Sequence, residues 1–277
     1  MSDFLSPGRL IGVSLGPGDP GLITRAAWAA LQRRDAVWVY PARSAKTPSY
    51  ALGILQRAQL APPAESCTLL FPMTHDGEKL ARAWLKAAHT VLPWLQAGRD
   101  VLFLVEGDAS TYATFGHLAR TVRGLDERVQ TPVIAGVNAF AAAAADCGVP
   151  LAEQDDTIAI VPAAYGVAAV DRLLPDFDTL VLMKIKPLID ELLDWLVRRG
   201  LLAQAHFIER VGAPDERRLG GEQLLALRGQ TVHYLSLLIV KNPQRVRGER
   251  IRGCLKKPGP AAEKTAAPET PETPSPA

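Results

Sequence analysis

The chain has 277 residues, 48% of them hydrophobic and 22% charged, which is typical of a globular protein of one large or two ordinary domains. A formal net charge of +2 is too small to indicate a nucleic-acid-binding protein. The three cysteines are far apart, and the sequence lacks both a secretory leader pattern and a long apolar run. We therefore expect a cytoplasmic protein with reduced thiols, no membrane span and no protein-bound metal.

The first half of the chain alternates apolar strand patterns with helical patterns. Strands are expected at residues 9–15, 36–41, 67–73, 100–108 and 131–136. Helices are expected at about residues 49–59 and 77–97, and one more follows Thr24, with Asp19 or Thr24 as its cap. Because these strands are almost wholly apolar, they predict a parallel sheet covered by helices on both faces.

The second half begins with an alanine-rich helix at residues 139–146. Longer, more alternating strand patterns follow in DTIAIVP, TLVLMKI, AHFIERVG and TVHYLSLLIVKN, with fewer helices between them. They favour a mixed, partly antiparallel sheet. We predict an N-terminal α/β domain at 1–136, a C-terminal α+β domain at 137–245, and a basic, then disordered Pro/Ala/Glu/Thr-rich tail at 246–277.

Three loops rich in small residues leave the carboxyl ends of predicted parallel strands: GPGDPG (16–21), EGDASTY (106–112) and AGVNAF (135–140). Ligands bind at that edge of an open parallel sheet. The first loop lacks the G-x-G-x-x-G spacing and the Lys-Ser/Thr pair of phosphate-binding loops, and Asp19 would repel a polyanion. A neutral or cationic ligand fits better, although each loop alone is also consistent with a tight turn.

A few polar side chains in these loops or after other predicted strands suggest chemistry, and each has an ordinary structural alternative. Asp108 either caps a helix expected near Thr111 or stands at the mouth of a site as a hydrogen-bond or proton acceptor. His75 follows the third strand, where it belongs either to a helix cap or to the site. Glu209 and Arg210 form either a surface ion pair or a ligand-facing pair.

Five stretches together resemble the tetrapyrrole (corrin/porphyrin) methyltransferase family, in order and at family spacing from residue 9 to residue 242. They are GVSLGPGDPGLIT, VEGDASTYATFGHL, PVIAGVNAFAAAAADCGVPL, LVLMKI and ERVGAPDERRL. FPMTHD (71–76) and the form EGDASTYATFGHL are most similar to the precorrin-2 C20-methyltransferase branch. Ala109, in place of a common proline, and Asn138, in place of Ser or Thr, depart from the family pattern but keep small or hydrogen-bonding character.

The resemblance implies two α/β domains with the active-site trough between them, where S-adenosyl-L-methionine is held largely by main-chain groups. The cofactor-binding residues that it implies are Pro17, Glu106, Gly107, Asp108, Thr111, Asn138, Ala139, Met183, Val211, Gly212 and Ser236. It also implies a homodimer and a tetrapyrrole substrate, precorrin-2, whose carboxylates would meet basic side chains such as Arg43, Lys184 and Arg210.

The implied reaction is S-adenosylmethionine-dependent methylation of C20 of precorrin-2, giving precorrin-3A in cobalamin biosynthesis. A base is needed only to remove the C20 proton after transfer. Asp108 is the best-placed carboxylate for that step, and Tyr112 and His75 are further catalytic candidates. Solvent or a substrate nitrogen is the alternative proton acceptor. Cobalt-precorrin-2 of the early-cobalt route, or another tetrapyrrole carbon, remains open as the acceptor.

Two other classes of protein compete with this interpretation. A nucleotide-binding oxidoreductase would share the parallel strands and glycine loops. The chain lacks G-x-G-x-x-G, however, and Tyr40 and Pro41 stand where an acidic residue would end the second strand. A non-enzymatic tetrapyrrole carrier would not need the intact cofactor loops.

Overall fold

Two five-stranded β-sheets organise the chain in the computed structural model, which describes residues 6–248. Residues up to Arg245 form one compact unit. The predicted tail lies outside the described residues from position 249 onward. Within the described part of the chain, no helix is both long enough and apolar enough to cross a membrane.

The first sheet is parallel throughout, with the strand order β3-β2-β4-β1-β5. Its strands are β1 (Leu10–Ser14), β2 (Val37–Ala42), β3 (Ser66–Leu70), β4 (Val101–Val105) and β5 (Val133–Ile134). All five strands match predicted patterns, and their ends differ from the predicted ends by up to three residues. Successive residues of β2 enter opposite cores, Val37 and Val39 on one face and Trp38 and Tyr40 on the other. The prediction of a sheet covered on both faces is therefore confirmed.

Four helices cover the two faces of the first sheet. They are α1 (Arg25–Leu31), α2 (Tyr50–Arg57), α3 (Gly77–Gln96) and α4 (Phe115–Leu125). Thr24 caps α1 by accepting a hydrogen bond from the amide of Ala27, and Asp19 caps a separate short turn, Pro20–Leu22. Both residues offered as caps for one helix are thus used, at two different starts. The helix expected near Thr111 begins at Phe115 instead.

The second sheet is mixed, as predicted, with the order β6-β7-β10-β8-β9. Its strands are β6 (Ile158–Pro162), β7 (Thr179–Met183), β8 (Ala205–Glu209), β9 (Arg217–Gly220) and β10 (Ser236–Lys241). The β6–β7 pair is parallel, and the other three pairs are antiparallel. No sequence pattern had indicated β9, because RRLG is short and polar and lies at the edge of the sheet.

Three further helices cover the second sheet: α5 (Ala139–Cys147), α6 (Val167–Leu173) and α7 (Ile189–Arg198). α5 packs on Ile208, Leu237 and Ile239, whereas α6 and α7 pack in the other core. α5 thus joins the second sheet, as the predicted boundary at residue 136 requires. The boundary itself stays a prediction, because residues 6–245 form one compact unit.

Candidate functional site

The three small-residue loops leave three adjacent strands, β4, β1 and β5, so they meet at one carboxyl edge of the first sheet. The amide of Gly16 donates to the carbonyl oxygen of Gly107 at 3.2 Å, and the amide of Gly107 donates to that of Gly16 at 2.7 Å. Both glycines have positive φ angles, +74° and +72°, which other residues adopt only with strain. The loops after β1 and β4 are therefore paired through their backbones.

Asp108 links the second loop to the third. Its Oδ2 accepts the amide of Gly136 at 2.7 Å, and its Oδ1 accepts the amide and hydroxyl of Ser110 and the hydroxyl of Thr111. Burial acts to raise the pKa of Asp108, but these hydrogen bonds outweigh it and hold the pKa below its ordinary value. Asp108 is thus an ionised carboxylate that fixes the two loops relative to each other.

The second sheet presents a matching edge, where β7 and β8 end and β10 begins. The loop after β8 meets the loop after β1 through backbone. A Cβ at Gly18 would lie 2.4 Å from the carbonyl oxygen of Val211, and a Cβ at Gly212 would lie 2.5 Å from the amide nitrogen of Asp19. Glycine is required at both positions for this approach of the two edges.

Tyr112 reaches from the second loop to the second sheet. Its hydroxyl donates to the carbonyl oxygen of Ile160 at 3.2 Å, and the Nζ of Lys184 lies 5.4 Å from its ring centroid. Tyr112 and Lys184 both have positive φ angles, +53° and +57°. Non-glycine residues in this left-handed backbone conformation each cost about 1–3 kcal/mol of stability, and they cluster at functional sites.

Two further cation–π contacts cross between the sheets in opposite directions. The guanidinium of Arg43, after β2, lies 4.4 Å from the ring centroid of Tyr234, which precedes β10. The guanidinium of Arg210, after β8, lies 5.5 Å from the ring centroid of Tyr50, the first residue of α2. Arg210 also has a positive φ, +56°. Sequence reasoning missed both tyrosines, because no local pattern distinguishes them from core or surface aromatics.

Glu106 follows β4 directly and is partly buried at this edge. Burial raises the pKa of its carboxyl, and its own backbone amide and Arg43 offset the effect only in part. Among the described residues it makes no hydrogen bond to another side chain. The hydroxyl of Tyr50 is buried nearby, and it too finds no hydrogen-bond partner among those residues.

The structure brings most of the predicted site residues to the two facing edges. Pro17, Glu106, Gly107, Asp108, Thr111, Asn138 and Ala139 lie in the loops of the first sheet, and Met183, Val211, Gly212 and Ser236 lie at the edge of the second. His75 is exposed after the edge strand β3. Because β2 lies between β3 and β4, the end of β3 is about 10 Å from the end of β4 and its loop. The assigned roles of all these residues stay predictions.

The loop chemistry fits S-adenosylmethionine. A Cβ at Gly107 would meet nothing within 4 Å, so backbone lines open space there. The side chain of Asn138 makes no cap hydrogen bond to the helix that it begins, which leaves its amide for a ligand. No cluster of three or more His, Cys, Asp or Glu side chains within the described residues has a spacing suited to a metal ion.

Comparison with known proteins gives a family and several relatives. Residues 9–222 match the tetrapyrrole (corrin/porphyrin) methylases. The chain is 32% identical to the precorrin-2 C(20)-methyltransferase of Sinorhizobium sp, over 73% of this chain and 84% of that protein. It is also 32% identical to the cobalt-precorrin-2 C(20)-methyltransferase of Salmonella typhimurium, over 78% of this chain and 86% of that protein.

Solved structures share the fold. A cobalt precorrin-4 methyltransferase superimposes with a TM-score of 0.63 and 21% identity, over 84% of this chain and 94% of the other. A uroporphyrin-III C-methyl transferase from Thermus thermophilus, complexed with S-adenosyl homocysteine, gives a TM-score of 0.56 and 24% identity, over 84% and 97% of the two chains. Both likenesses concern the arrangement of two α/β domains.

Proposed function

Because the chain belongs to the tetrapyrrole (corrin/porphyrin) methylases, we propose that it transfers the methyl group of S-adenosylmethionine to C20 of precorrin-2, giving precorrin-3A in cobalamin biosynthesis. Two relatives of equal identity are named for methylation at C20, which supports this position on the macrocycle. The observation that carries the proposal is the fastening of the loops after β1, β4 and β5 to one another at the edge that faces the second sheet. A non-enzymatic carrier would not need these three loops to be joined in this way.

The sulfonium of S-adenosylmethionine supplies a strongly electrophilic methyl group. The chain's own residues therefore have mainly to place the acceptor in line and to exclude water. Asp108 serves by fixing the loops around Gly107, whose bare backbone lets a ligand approach closely. Met183, at the end of β7, is assigned to the adenine side, and Asn138 offers its amide to the amino acid or ribose.

Arg43, Lys184 and Arg210 are assigned to the carboxylates of the tetrapyrrole. Each lies at the facing edges of the two sheets with its cation over a tyrosine ring. An aromatic face weakly holds a cation, and the guanidinium of an arginine can still form paired hydrogen bonds to a carboxylate. The cation–π contacts thus preorganise the basic groups before the substrate arrives.

We also propose a cytoplasmic homodimer. Apolar side chains on the edge strands support this assembly, because Val133 of β5 and Ile158 and Ile160 of β6 are 41%, 37% and 37% exposed. Exposed apolar side chains at a sheet edge favour pairing with another chain. A monomeric mass by light scattering at micromolar concentration would contradict the dimer.

The proposed function is tested by incubating the purified protein with S-adenosylmethionine carrying a ¹³C-labelled methyl group and with precorrin-2 or cobalt-precorrin-2. NMR of the product locates the label. A labelled methyl group at C20 is the expected result, and the faster acceptor identifies the metal state. Label at another carbon, or no transfer to either acceptor, would contradict the proposal. Calorimetric binding of S-adenosylmethionine separates an enzyme from a carrier.

A further inference from the structure

Methylation at C20 leaves a proton to be removed from that carbon. The catalytic candidates named so far are poorly suited to accept it. Asp108 already accepts three hydrogen bonds at Oδ1 and one at Oδ2, and these interactions favour its ionised form. His75 is exposed beyond an edge strand, and the hydroxyl of Tyr112 already donates to the carbonyl oxygen of Ile160. A different group at the facing edges is better suited to the proton.

Glu106 has the required position. It directly follows β4, the central strand of the first sheet, and it directly precedes Gly107, whose backbone lines open space at this edge. Side chains alternate along a strand, so Glu106 continues the face of Leu104, whose core includes α2, rather than the face of Val105. The carboxyl is therefore directed toward the side of the trough on which Tyr50 begins α2.

The surroundings of Glu106 are built for a polar ligand. The buried hydroxyl of Tyr50 lacks a partner among the described residues, and Glu106 lies close enough to act electrostatically on it. The other charged groups acting on Tyr50 are Arg57, Arg210 and Asp215. A buried phenol without a hydrogen bond is costly, so its partner is expected to come from a bound molecule or an ordered water.

The environment also gives Glu106 the proton affinity that a base at C20 needs. Burial raises the pKa of the Glu106 carboxyl, and its own backbone amide and the nearby charge of Arg43 oppose this effect only in part. A carboxylate whose pKa is raised is a stronger base than an ordinary carboxylate.

We propose that Glu106 is the catalytic residue that accepts the C20 proton, an inference that rests on the proposed methylation at C20. A π-electron pair at C20 forms the carbon–carbon bond while the sulfur keeps the pair of the breaking S–CH₃ bond. Glu106 then takes the C20 proton as its carboxylate, and the C–H pair returns to the conjugated macrocycle. The resulting carboxylic acid releases the proton to solvent.

The test compares Glu106→Gln with the wild type in three measurements. The first is the Kd of S-adenosylmethionine by calorimetry, which should stay within about twofold, because the proposal replaces the cofactor contact that the resemblance implied for Glu106 with a role in proton transfer. The second is kcat with precorrin-2, which should fall about 100-fold or more, as for loss of a general base. The third is hydrogen–deuterium exchange at C20 of bound precorrin-2 in D₂O with S-adenosylhomocysteine present, which NMR follows and which needs no methyl transfer. The variant should slow this exchange by a similar factor.

Two further variants complete the design. Glu127→Gln removes an exposed carboxyl before β5, at the opposite edge of the same sheet, and should leave all three measurements unchanged. Glu106→Asp keeps a carboxyl one methylene shorter, and intermediate exchange and turnover in this variant support proton transfer over a structural role. If Glu106→Gln fails to fold, Glu106→Ala takes its place, and wild-type kcat and exchange in that variant would overturn the proposal.

Wild-type kcat and exchange in a folded Glu106→Gln variant would overturn the inference while leaving C20 methylation intact. A loss of turnover explained wholly by a weaker Kd for S-adenosylmethionine would also overturn it, because Glu106 would then be a cofactor ligand. Failure of the wild type to methylate C20 of either acceptor would overturn the proposed function and this inference together.

Discussion

The guanidinium of Arg210 lies 5.5 Å from the ring centroid of Tyr50, and this contact joins the end of β8 in the second sheet to the start of α2 on the first. Arg210 is further held by Asp215, whose Oδ1 accepts from its Nε at 2.7 Å, and by the Nε2 of His233 at 3.3 Å from its Nη1. The ring of Tyr50 thus contacts Arg210, while its hydroxyl has no hydrogen-bond partner among the described residues.

Tyr50→Phe separates these two properties, because it keeps the ring and removes the hydroxyl. The free energy of unfolding of the ligand-free protein should stay the same or rise by about 1 kcal/mol, since an unsatisfied buried group is lost. The KM for the tetrapyrrole should rise about fivefold or more, because the hydroxyl loses its bound partner. Thermal unfolding and steady-state kinetics measure the two effects. A destabilised variant with an unchanged KM would show that the hydroxyl serves the fold.

The meeting of the three loops was predictable from sequence because it follows from a rule of topology. Apolar runs identified β1, β4 and β5 as parallel strands, and the carboxyl ends of parallel strands share one edge. Asp108 was identified by the same logic. Its bond to Gly136 was not, because 28 residues separate them and only the strand order β4-β1-β5 brings them together.

Contacts between the two sheets were beyond local patterns. Tyr112 and Lys184 were named as candidates, but their contact with each other was not foreseen, because their left-handed backbone is set by the loops that hold them. Tyr50 begins a helix with an unremarkable amphipathic pattern. The edge strand β9 is short and polar, so its pairing with β8 is fixed by the sheet rather than by its own propensity.

Gly107→Val tests whether the bare backbone of the loop after β4 binds S-adenosylmethionine. Gly107 has a φ of +72°, so a β-branched residue there is strained although the space is open. We expect the Kd of S-adenosylmethionine to rise about tenfold or more, with a cost in unfolding free energy of about 1–3 kcal/mol. The matched control is Gly124→Ala in α4, where φ is not positive and no atom lies within 4 Å, and which should be neutral or slightly stabilising. Unchanged cofactor affinity in folded Gly107→Val would remove this loop from the site.

Asp108→Asn tests the link between the second and third loops. Both carboxylate oxygens of Asp108 accept hydrogen bonds, and an amide can accept at one of them only. The variant should lose about 1–3 kcal/mol of unfolding stability, since one buried donor is left without its acceptor. The Kd of S-adenosylmethionine should rise with it. Calorimetry and denaturant titration check both, and wild-type values in both would contradict the assignment of Asp108 as the group that fixes the loops.

Asp100 offers a prediction about acid stability at the other end of the first sheet. Its carboxylate accepts from the side chains of Arg9 at 2.7 Å and Arg33 at 2.6 Å. Burial acts to raise its pKa, but the hydrogen bonds of the two arginines outweigh it and lower the pKa from 3.8 to about 2. Because the folded-state value is the lower one, the group stabilises the fold above the unfolded-state pKa, and that contribution is lost as the pH falls from about 4 toward 2.

Lowering the pKa of Asp100 from 3.8 to about 2 corresponds to about 2 kcal/mol of folding free energy at pH 7. Asp100→Asn should therefore lower the free energy of unfolding at pH 7 by about 2 kcal/mol and flatten its dependence on pH between about 4 and 2. Activity at saturating substrates should be kept, because Asp100 precedes β4 and lies at the edge opposite to the candidate site. Asp35→Asn is the matched control, since this exposed carboxylate pairs with the same Arg33. Denaturant titrations across the pH range measure the difference, and a variant that keeps the wild-type pH profile would show that the Arg9 and Arg33 contacts do not stabilise the folded state.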